Sequence, residues 1–270
     1  MKRNPPRPWR LLALLLFLAL PAAQAEGLDV GQPSALRKLV PASLLEKKAA
    51  AQYAQIKQAA ASKGALAPDH HPQLRRLRAI AARLIRHADR WHAEANRWSW
   101  EINLIGARQI NAFCMPGGKI AFFTGLIDGL KLNDDEIAAV MGHEIAHALR
   151  EHARERLAKQ QLTQLGAAVL GEIVAEGRYA GAFRFGGDLL ALKFSRDDER
   201  EADIVGLDLA ARAGFDPRAG ITLWQKMLAA SRNAPLEWFS THPSGENRIR
   251  SIEALLPKLE PIYQAARSSG

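Results

Sequence analysis

The chain has 270 residues, of which 37 are Lys or Arg and 28 are Asp or Glu, so its formal net charge is +9. No basic stretch is interleaved with aromatic side chains, so the charge does not indicate a nucleic-acid-binding module. It suits contact with anionic membrane headgroups instead. The chain has 1 Cys, which excludes an intrachain disulfide, and the fold must be stabilised by a hydrophobic core.

Residues 1–25 have the pattern of a signal peptide. A basic stretch from Lys2 to Arg10 precedes the apolar residues 11–20, and Ala23-Gln24-Ala25 is typical of a cleavage site. The apolar run is too short to span a bilayer, which takes about 20 residues. Removal of this segment lowers the formal charge from +9 to +5. We therefore expect export to the periplasm of a Gram-negative bacterium, and the alternative is an uncleaved anchor.

An N-terminal helical segment, residues 26–72, is predicted ahead of a main domain that covers residues 73–270. Ala, Leu, Lys and Gln dominate the segment, and Pro41 divides it into two amphipathic helices. The main domain then begins with an amphipathic helix over residues 73–96.

Alternating apolar and polar residues predict a small sheet after this helix. The alternation over residues 98–104 has the two-residue period of a strand. Further short strands are expected at residues 109–113 and 119–124, joined by a Pro-Gly-Gly turn. We interpret Cys114, near that turn, as a small buried hydrophobe, and the alternative is a metal-binding or oxidant-sensing thiol.

A helix predicted over residues 133–159 carries the residues on which the functional prediction depends. His143 and His147 are four positions apart, so their imidazoles share one helical face about one turn apart. Two neutral His nitrogens at this spacing can hold one Zn²⁺, and Glu144 can reach a water on that metal. The charged second half of the helix, with His152, is interpreted as a solvated face.

A catalytic zinc site needs a third protein ligand, and the acidic residues 197–203 supply the candidates. Glu199 and Asp203 are four positions apart at the start of a helix that we expect to end before Gly214. We assign Glu199 as the third ligand and Asp203 as the carboxylate that accepts the outer N–H of a ligating His. Spacing alone leaves open a solvated acidic first turn favoured by the helix dipole. The intervening residues 162–194 either cover the cleft or serve as scaffold.

Two more helices are predicted over residues 218–230 and 245–256, and the last of these follows a further sequence block. Four such blocks stand in order along the chain: residues 111–126, His143-Glu144-x-x-His147, Glu199-x-x-Ala202-Asp203, and residues 239–249. Together they resemble the gluzincin zinc metallopeptidases, the family of HtpX and the CaaX prenyl endoproteases. The most similar branch is the soluble bacterial one of the periplasm and outer membrane.

This resemblance implies both the fold and the ligand set. It maps the third zinc ligand to Glu199 and makes residues 73–270 a zinc metallopeptidase domain. The expected fold is α+β, a mainly helical zincin-like fold with a small β-sheet beside the active-site helix.

Peptide-bond hydrolysis is the chemistry that such a site implies. Zn²⁺ on the three ligands would activate a water, and Glu144 would serve as the general base. His242 and Arg248 are candidates for stabilising the oxyanion. His242 has two alternatives: a fourth zinc ligand that keeps the enzyme inactive, or a structural loop residue.

By resemblance, the expected role is quality control of misfolded or misassembled cell-envelope proteins, with possible peripheral contact with the outer membrane. A strand at residues 119–124, or its partner near residues 111–113, would offer an edge to an unfolded chain. The alternative is a periplasmic chaperone or assembly factor whose zinc site is structural or inactive. An intact Glu144 argues against a purely structural site, because structural zinc needs no general base.

Overall fold

A computed structural model describes residues 28–165, 188–232, 236–243 and 247–268. The signal peptide predicted for residues 1–25 and the central part of the predicted covering segment, residues 166–187, lie outside the described residues. Within the described ranges, no helix is both long and apolar enough to cross a membrane.

Helices make up most of the described chain. In chain order they are α1 (Ala42–Ser62), α2 (Pro72–Ile85), α3 (Thr124–Gly129), α4 (Asp134–Leu149), α5 (His152–Leu165), α6 (Arg196–Arg212), α7 (Ala219–Ser231), α8 (Trp238–Thr241) and α9 (Arg248–Ser268). Short 3-10 turns lie at Ala35–Leu39, Ala88–Arg90, Ala95–Arg97 and Leu189–Ala191.

A three-stranded sheet lies beside these helices. Its central strand β3 (Lys119–Phe123) is parallel to β1 (Glu101–Ile105) and antiparallel to β2 (Ala112–Met115). The turn between β2 and β3 contains Gly117 and Gly118 at φ of +78° and +80°, a left-handed backbone that glycine adopts without steric cost. The predicted class, mainly helical α+β with a small sheet, is therefore confirmed.

Several predicted boundaries were wrong by a few residues. β1 begins at Glu101, because the chain before it forms 3-10 turns and the Trp100 indole N–H donates to Ala95 O at 2.9 Å. β2 ends at Met115, because the glycine turn follows directly. The last helix, α9, runs past Pro257, which is exposed, so water can satisfy the carbonyl that the proline leaves free.

The helix predicted over residues 133–159 is two helices. α4 and α5 meet at Glu151, whose φ of +57° is left-handed and turns the chain. Ion pairs from Arg37 and Arg154 hold the Glu151 carboxylate at this turn. His152 was predicted on a solvated face, but the turn directs it inward and leaves it 1% exposed.

The two helices that carry the predicted ligands are each capped and cross at a pair of glycines. At the start of α4, the Asn133 side chain accepts from the Glu136 N–H and the Glu136 side chain accepts from the Asn133 N–H, and Ser195 and Asp198 form the same capping box at the start of α6. A Cβ on Gly142 of α4 would lie 2.5 Å from Gly206 O, and a Cβ on Gly206 would lie 2.6 Å from His143 N. The backbones of α4 and α6 are therefore in direct contact beside His143.

Two hydrophobic cores stabilise the fold. The main core surrounds α4, which packs against α2, β2, α6 and α7. The second core joins the N-terminal segment to the sheet and α5, and it includes Leu45 and Tyr53 of α1, Phe113 of β2, and Leu157 of α5. The N-terminal segment thus packs on the rest of the protein.

We expect Gly206→Ala to destabilise the protein by about 1–3 kcal/mol, because the new methyl group overpacks the crossing of α4 and α6. The control is Gly129→Ala in α3, where a Cβ would have no neighbour closer than 4.0 Å. Urea unfolding measures both variants. Equal unfolding midpoints for the two would contradict the close crossing.

We expect Glu151→Gln to destabilise the protein at neutral pH and to matter little in acid. Burial alone would raise the pKa of the Glu151 carboxyl, but hydrogen bonds from His92, Arg154 and Arg37 lower it from 4.5 to about 2. Because the folded-state pKa is depressed, the stabilisation is complete above pH 4.5 and is lost as the pH falls toward 2. The loss at pH 7 should be about 1.5–3 kcal/mol.

Urea unfolding between pH 7 and pH 3 measures this effect. Glu94→Gln is the control, since Glu94 and Arg97 form an exposed ion pair that contributes little at any pH. A difference between wild type and Glu151→Gln that stayed constant on acidification would refute the role of the carboxylate.

Candidate metal centre

Four buried side chains converge between α4, α6 and the residue after α8. They are His143, His147, Glu199 and His242, and each is 5% exposed or less. One ligand atom from each lies within 4.8 Å of the others. Among the described residues, this is the one such group of three or more His, Cys, Asp or Glu residues.

The separations of these atoms suit one shared metal ion. His143 Nε2 and His147 Nε2 are 3.1 Å apart. The Glu199 carboxylate oxygens lie 3.4 Å from His143 Nε2 and 3.3 Å from His147 Nε2. Ligand atoms about 2.0–2.1 Å from a tetrahedral ion are about 3.3 Å apart, so these three residues fit a metal of that kind.

The charge of the centre also favours a cation. The buried carboxylates of Glu144, Glu199 and Asp203 face one permanent positive charge, that of Arg248. Burial lowers the pKa of His143, but hydrogen bonds with Asp203 and Glu199 outweigh it and raise this pKa to about 9. A divalent cation between the ligands would balance the excess negative charge of these carboxylates.

Asp203 and Arg248 contact the predicted ligands His143 and Glu199. His143 Nδ1 is 3.1 Å from Asp203 Oδ1, which is the contact expected of a carboxylate that orients a ligating imidazole. Arg248 donates to Glu199 Oε2 at 2.6 Å and to Asp203 Oδ1 at 2.5 Å. These contacts favour a positioning role for Arg248 over the predicted stabilisation of an oxyanion, because both carboxylates engage its guanidinium.

Glu144 is held against the edge of the sheet. Its side chain is 3% exposed, and its Oε2 accepts from the Cys114 N–H at 3.3 Å. Its Oε1 has no hydrogen-bond partner among the described residues and lies 3.5 Å from His242 Nε2. Burial raises the pKa of Glu144, and the nearby His242 and His143 offset this only in part. The carboxylate is therefore a stronger proton acceptor than an exposed one.

The sheet has two edge strands, β1 and β2, and the chain near Leu66 partly covers the outer side of β1, so the edge beside Glu144 is that of β2. β3 pairs on both sides, so the alternative that β3 offers the edge was wrong. Because hydrogen-bonded pairs alternate along an antiparallel ladder and the Phe123 N–H donates to Asn111 O, the backbone groups of Ala112 and Cys114 point away from β3. Burial also raises the pKa of the Cys114 thiol well above its usual value, which favours a hydrophobe over a metal ligand.

Residues 188–194 lie against this edge. The remaining cavity has a volume of about 60 Å³ and is lined by Glu144, His242, β2 and side chains of this segment. Gln52 of α1 secures the segment, because it accepts from the Leu189 N–H at 3.2 Å and donates to Asp188. A cavity of this size is too small to hold a peptide.

Three residues that pack on the ligands were missed from the sequence. The Phe194 ring stacks on His147 with centroids 3.9 Å apart, and the Trp238 ring stacks on His242 at 4.5 Å. His152 lies behind His147. For Phe194 alone the sequence held a signal: it directly precedes Ser195, the N-cap of α6. A residue there lies close to the start of the helix that carries Glu199.

A buried His-Glu-x-x-His helix joined by a Glu from a crossing helix defines the class of the protein, which is that of the metalloendopeptidases. The chain belongs to peptidase family M48, whose family pattern matches residues 71–256. The resemblance to the family of HtpX and the CaaX prenyl endoproteases is confirmed.

Curated proteins similar to this chain come from eukaryotes and bacteria. The mitochondrial metalloendopeptidase OMA1 of Arabidopsis thaliana is 39% identical over 154 residues, 57% of this chain and 31% of that protein. Its namesake from Schizosaccharomyces pombe is 39% identical over 168 residues, 60% of this chain and 48% of that protein. The beta-barrel assembly-enhancing protease of Escherichia coli is 31% identical over 184 residues, which are 63% of this chain and 37% of that protein. The chain spans less than half the length of each.

Proposed function

We propose that the protein is a zinc-dependent endopeptidase that hydrolyses peptide bonds of misfolded or misassembled cell-envelope proteins. One observation carries the proposal: ligand atoms of His143, His147 and Glu199 surround one point at mutual distances of 3.1–3.4 Å, beside the buried carboxylate of Glu144. Zn²⁺ takes mixed His and carboxylate ligands at this geometry.

The residues around that point supply the rest of the chemistry. A zinc ion bound there would polarise the scissile carbonyl and lower the pKa of the attacking water. Glu144 takes the proton of that water on Oε1, the oxygen without a hydrogen-bond partner, and passes it to the leaving amine. Asp203 and Arg248 hold the ligands in place. The N–H groups of Ala112 and Cys114 are bonded to Asn111 and Glu144, so their outward carbonyl groups accept from the peptide, which binds as an added strand.

Four observations support the envelope role. A strand edge binds main-chain groups with little demand on sequence, which suits unfolded substrates. The signal-peptide pattern of residues 1–25 supports export to the periplasm, and the basic charge supports contact with a membrane surface. The printed name of the Escherichia coli relative refers to beta-barrel assembly, whereas the other two relatives are named as mitochondrial enzymes.

A second candidate function is a chaperone or assembly factor with an inactive zinc site, and the position of His242 supports an inactive state. His242 Nδ1 lies 3.0 Å from Glu199 Oε1 and 3.4 Å from His143 Nε2, within ligand range of the same point. A fourth protein ligand would take the place that the attacking water needs. Of the three interpretations of His242, we therefore propose the inhibitory ligand.

We expect Glu144→Gln to abolish cleavage of an unfolded protein such as casein, with a loss of at least about 100-fold, because the general base is gone. Zinc content should stay equal to that of the wild type, since Glu144 is not among the ligands. Purified residues 26–270 of both proteins would be compared by gel assay and metal analysis. Zinc in both proteins with cleavage by neither would favour the chaperone.

We expect His242→Ala to raise basal casein cleavage about tenfold or more, because it removes the fourth ligand that competes with the attacking water for the metal. Ser240→Ala, at an exposed position on α8 just before His242, is the control and should leave cleavage unchanged. A His242→Ala protein that keeps its zinc and loses activity would indicate oxyanion stabilisation instead.

A further inference from the structure

We infer that His152 is a positioning residue for the metal ligand His147 and that Glu201 completes the same hydrogen-bonded chain. His152 is 1% exposed, and its Nδ1 lies 2.9 Å from His147 Nδ1. Its Nε2 lies 3.3 Å from Glu201 Oε2. The inference rests on the proposed metal binding through His147 Nε2.

Hydrogen-bond chemistry assigns the proton on each ring of this chain. An imidazole that binds a metal through Nε2 carries its proton on Nδ1 and must donate it. The one polar atom at hydrogen-bond distance from His147 Nδ1 in the described structure is His152 Nδ1, which must therefore accept. The His152 proton is then on Nε2, where Glu201 accepts it.

The two His ligands thus have different supports. His143 donates directly to the carboxylate of Asp203, whereas His147 reaches the carboxylate of Glu201 through a second imidazole. A partner of this kind fixes the tautomer and the orientation of a ligating ring. Without His152, the donor on His147 would face no acceptor.

Water is a poor substitute for His152. The side chains of both His147 and His152 are 2% exposed, and the Phe194 ring stacks on His147 at 3.9 Å and lies 6.3 Å from His152. Glu201, the last member of this hydrogen-bonded series, is also fixed, because it forms an ion pair with Arg150. The support for His147 is therefore enclosed and rigid.

Two substitutions at His152 separate this role from plain packing. Asn places its carbonyl oxygen near the position of Nδ1 and can still accept from His147. Gln places its polar end near Nε2, so it keeps the contact with Glu201 and loses the one with His147. A packing role predicts similar effects for both. The positioning role predicts rescue by His152→Asn alone.

We expect His152→Gln to weaken zinc affinity about 10–100-fold and His152→Asn to stay within about threefold of wild type. Competition with a chromophoric chelator measures affinity on the full protein, without substrate. The absorption spectrum of the Co²⁺-substituted protein reports ligand geometry, and it should change for Gln and not for Asn. His70→Gln, at an exposed His outside the metal group, is the control.

Equal affinities for the two His152 variants, or tighter binding by Gln than by Asn, would overturn the inference. Circular dichroism of the metal-free proteins identifies variants that fail to fold. If both do so, Glu201→Leu decides: it removes the acceptor for the His152 Nε2–H, and unchanged zinc affinity would overturn the inference. A wild type and a His242→Ala protein that both bind zinc and cleave nothing would refute the peptidase and leave this result standing.

Discussion

The backbone contact between α4 and α6 at Gly142 and Gly206 is the constraint on which the site depends. His143 and His147 lie on α4 and Glu199 lies on α6, so ligand distances near 3.3 Å require the two helices to cross more closely than any side chain would allow. Glycine costs helix stability, by about 1 kcal/mol relative to Ala, and that cost is offset by the packing of α4 in the core. The geometry of the centre therefore depends on glycine, which has no Cβ, at both positions of the crossing.

The buried carboxylates of this centre need positive charge nearby. Burying a carboxylate is unfavourable unless it is paired, and this centre buries those of Glu144, Glu199 and Asp203. Arg248 neutralises part of that charge from behind. The rest must come from protons on the histidines or from a metal in front of them. Proton and metal compete for the same nitrogen lone pairs, so metal binding is coupled to proton release.

The sequence could predict what lies within one helical turn and could not predict what depends on packing between elements. The spacing of His143 and His147 fixes their common face, whichever fold surrounds them. Spacing alone left Glu199 among several carboxylates, the family resemblance singled it out, and the helix crossing at the two glycines explains how it comes to lie beside His143 and His147. His152 was misplaced because one residue, Glu151, leaves the helical conformation, and a left-handed Glu has no sequence signal. The small sheet was predicted, but its order was not, so the free edge remained ambiguous until pairing was known.

The same turn at Glu151 links the metal centre to a part of the chain outside the family match, which begins at residue 71. Glu151 directs His152 under His147 and binds Arg37 of the N-terminal segment. Arg150 makes a second link of this kind, because it pairs with Glu201 and also donates to Gly31 O of the N-terminal segment. Gln52 holds residues 188–194. The N-terminal segment therefore contacts both the residues that support His147 and the segment that lies against β2.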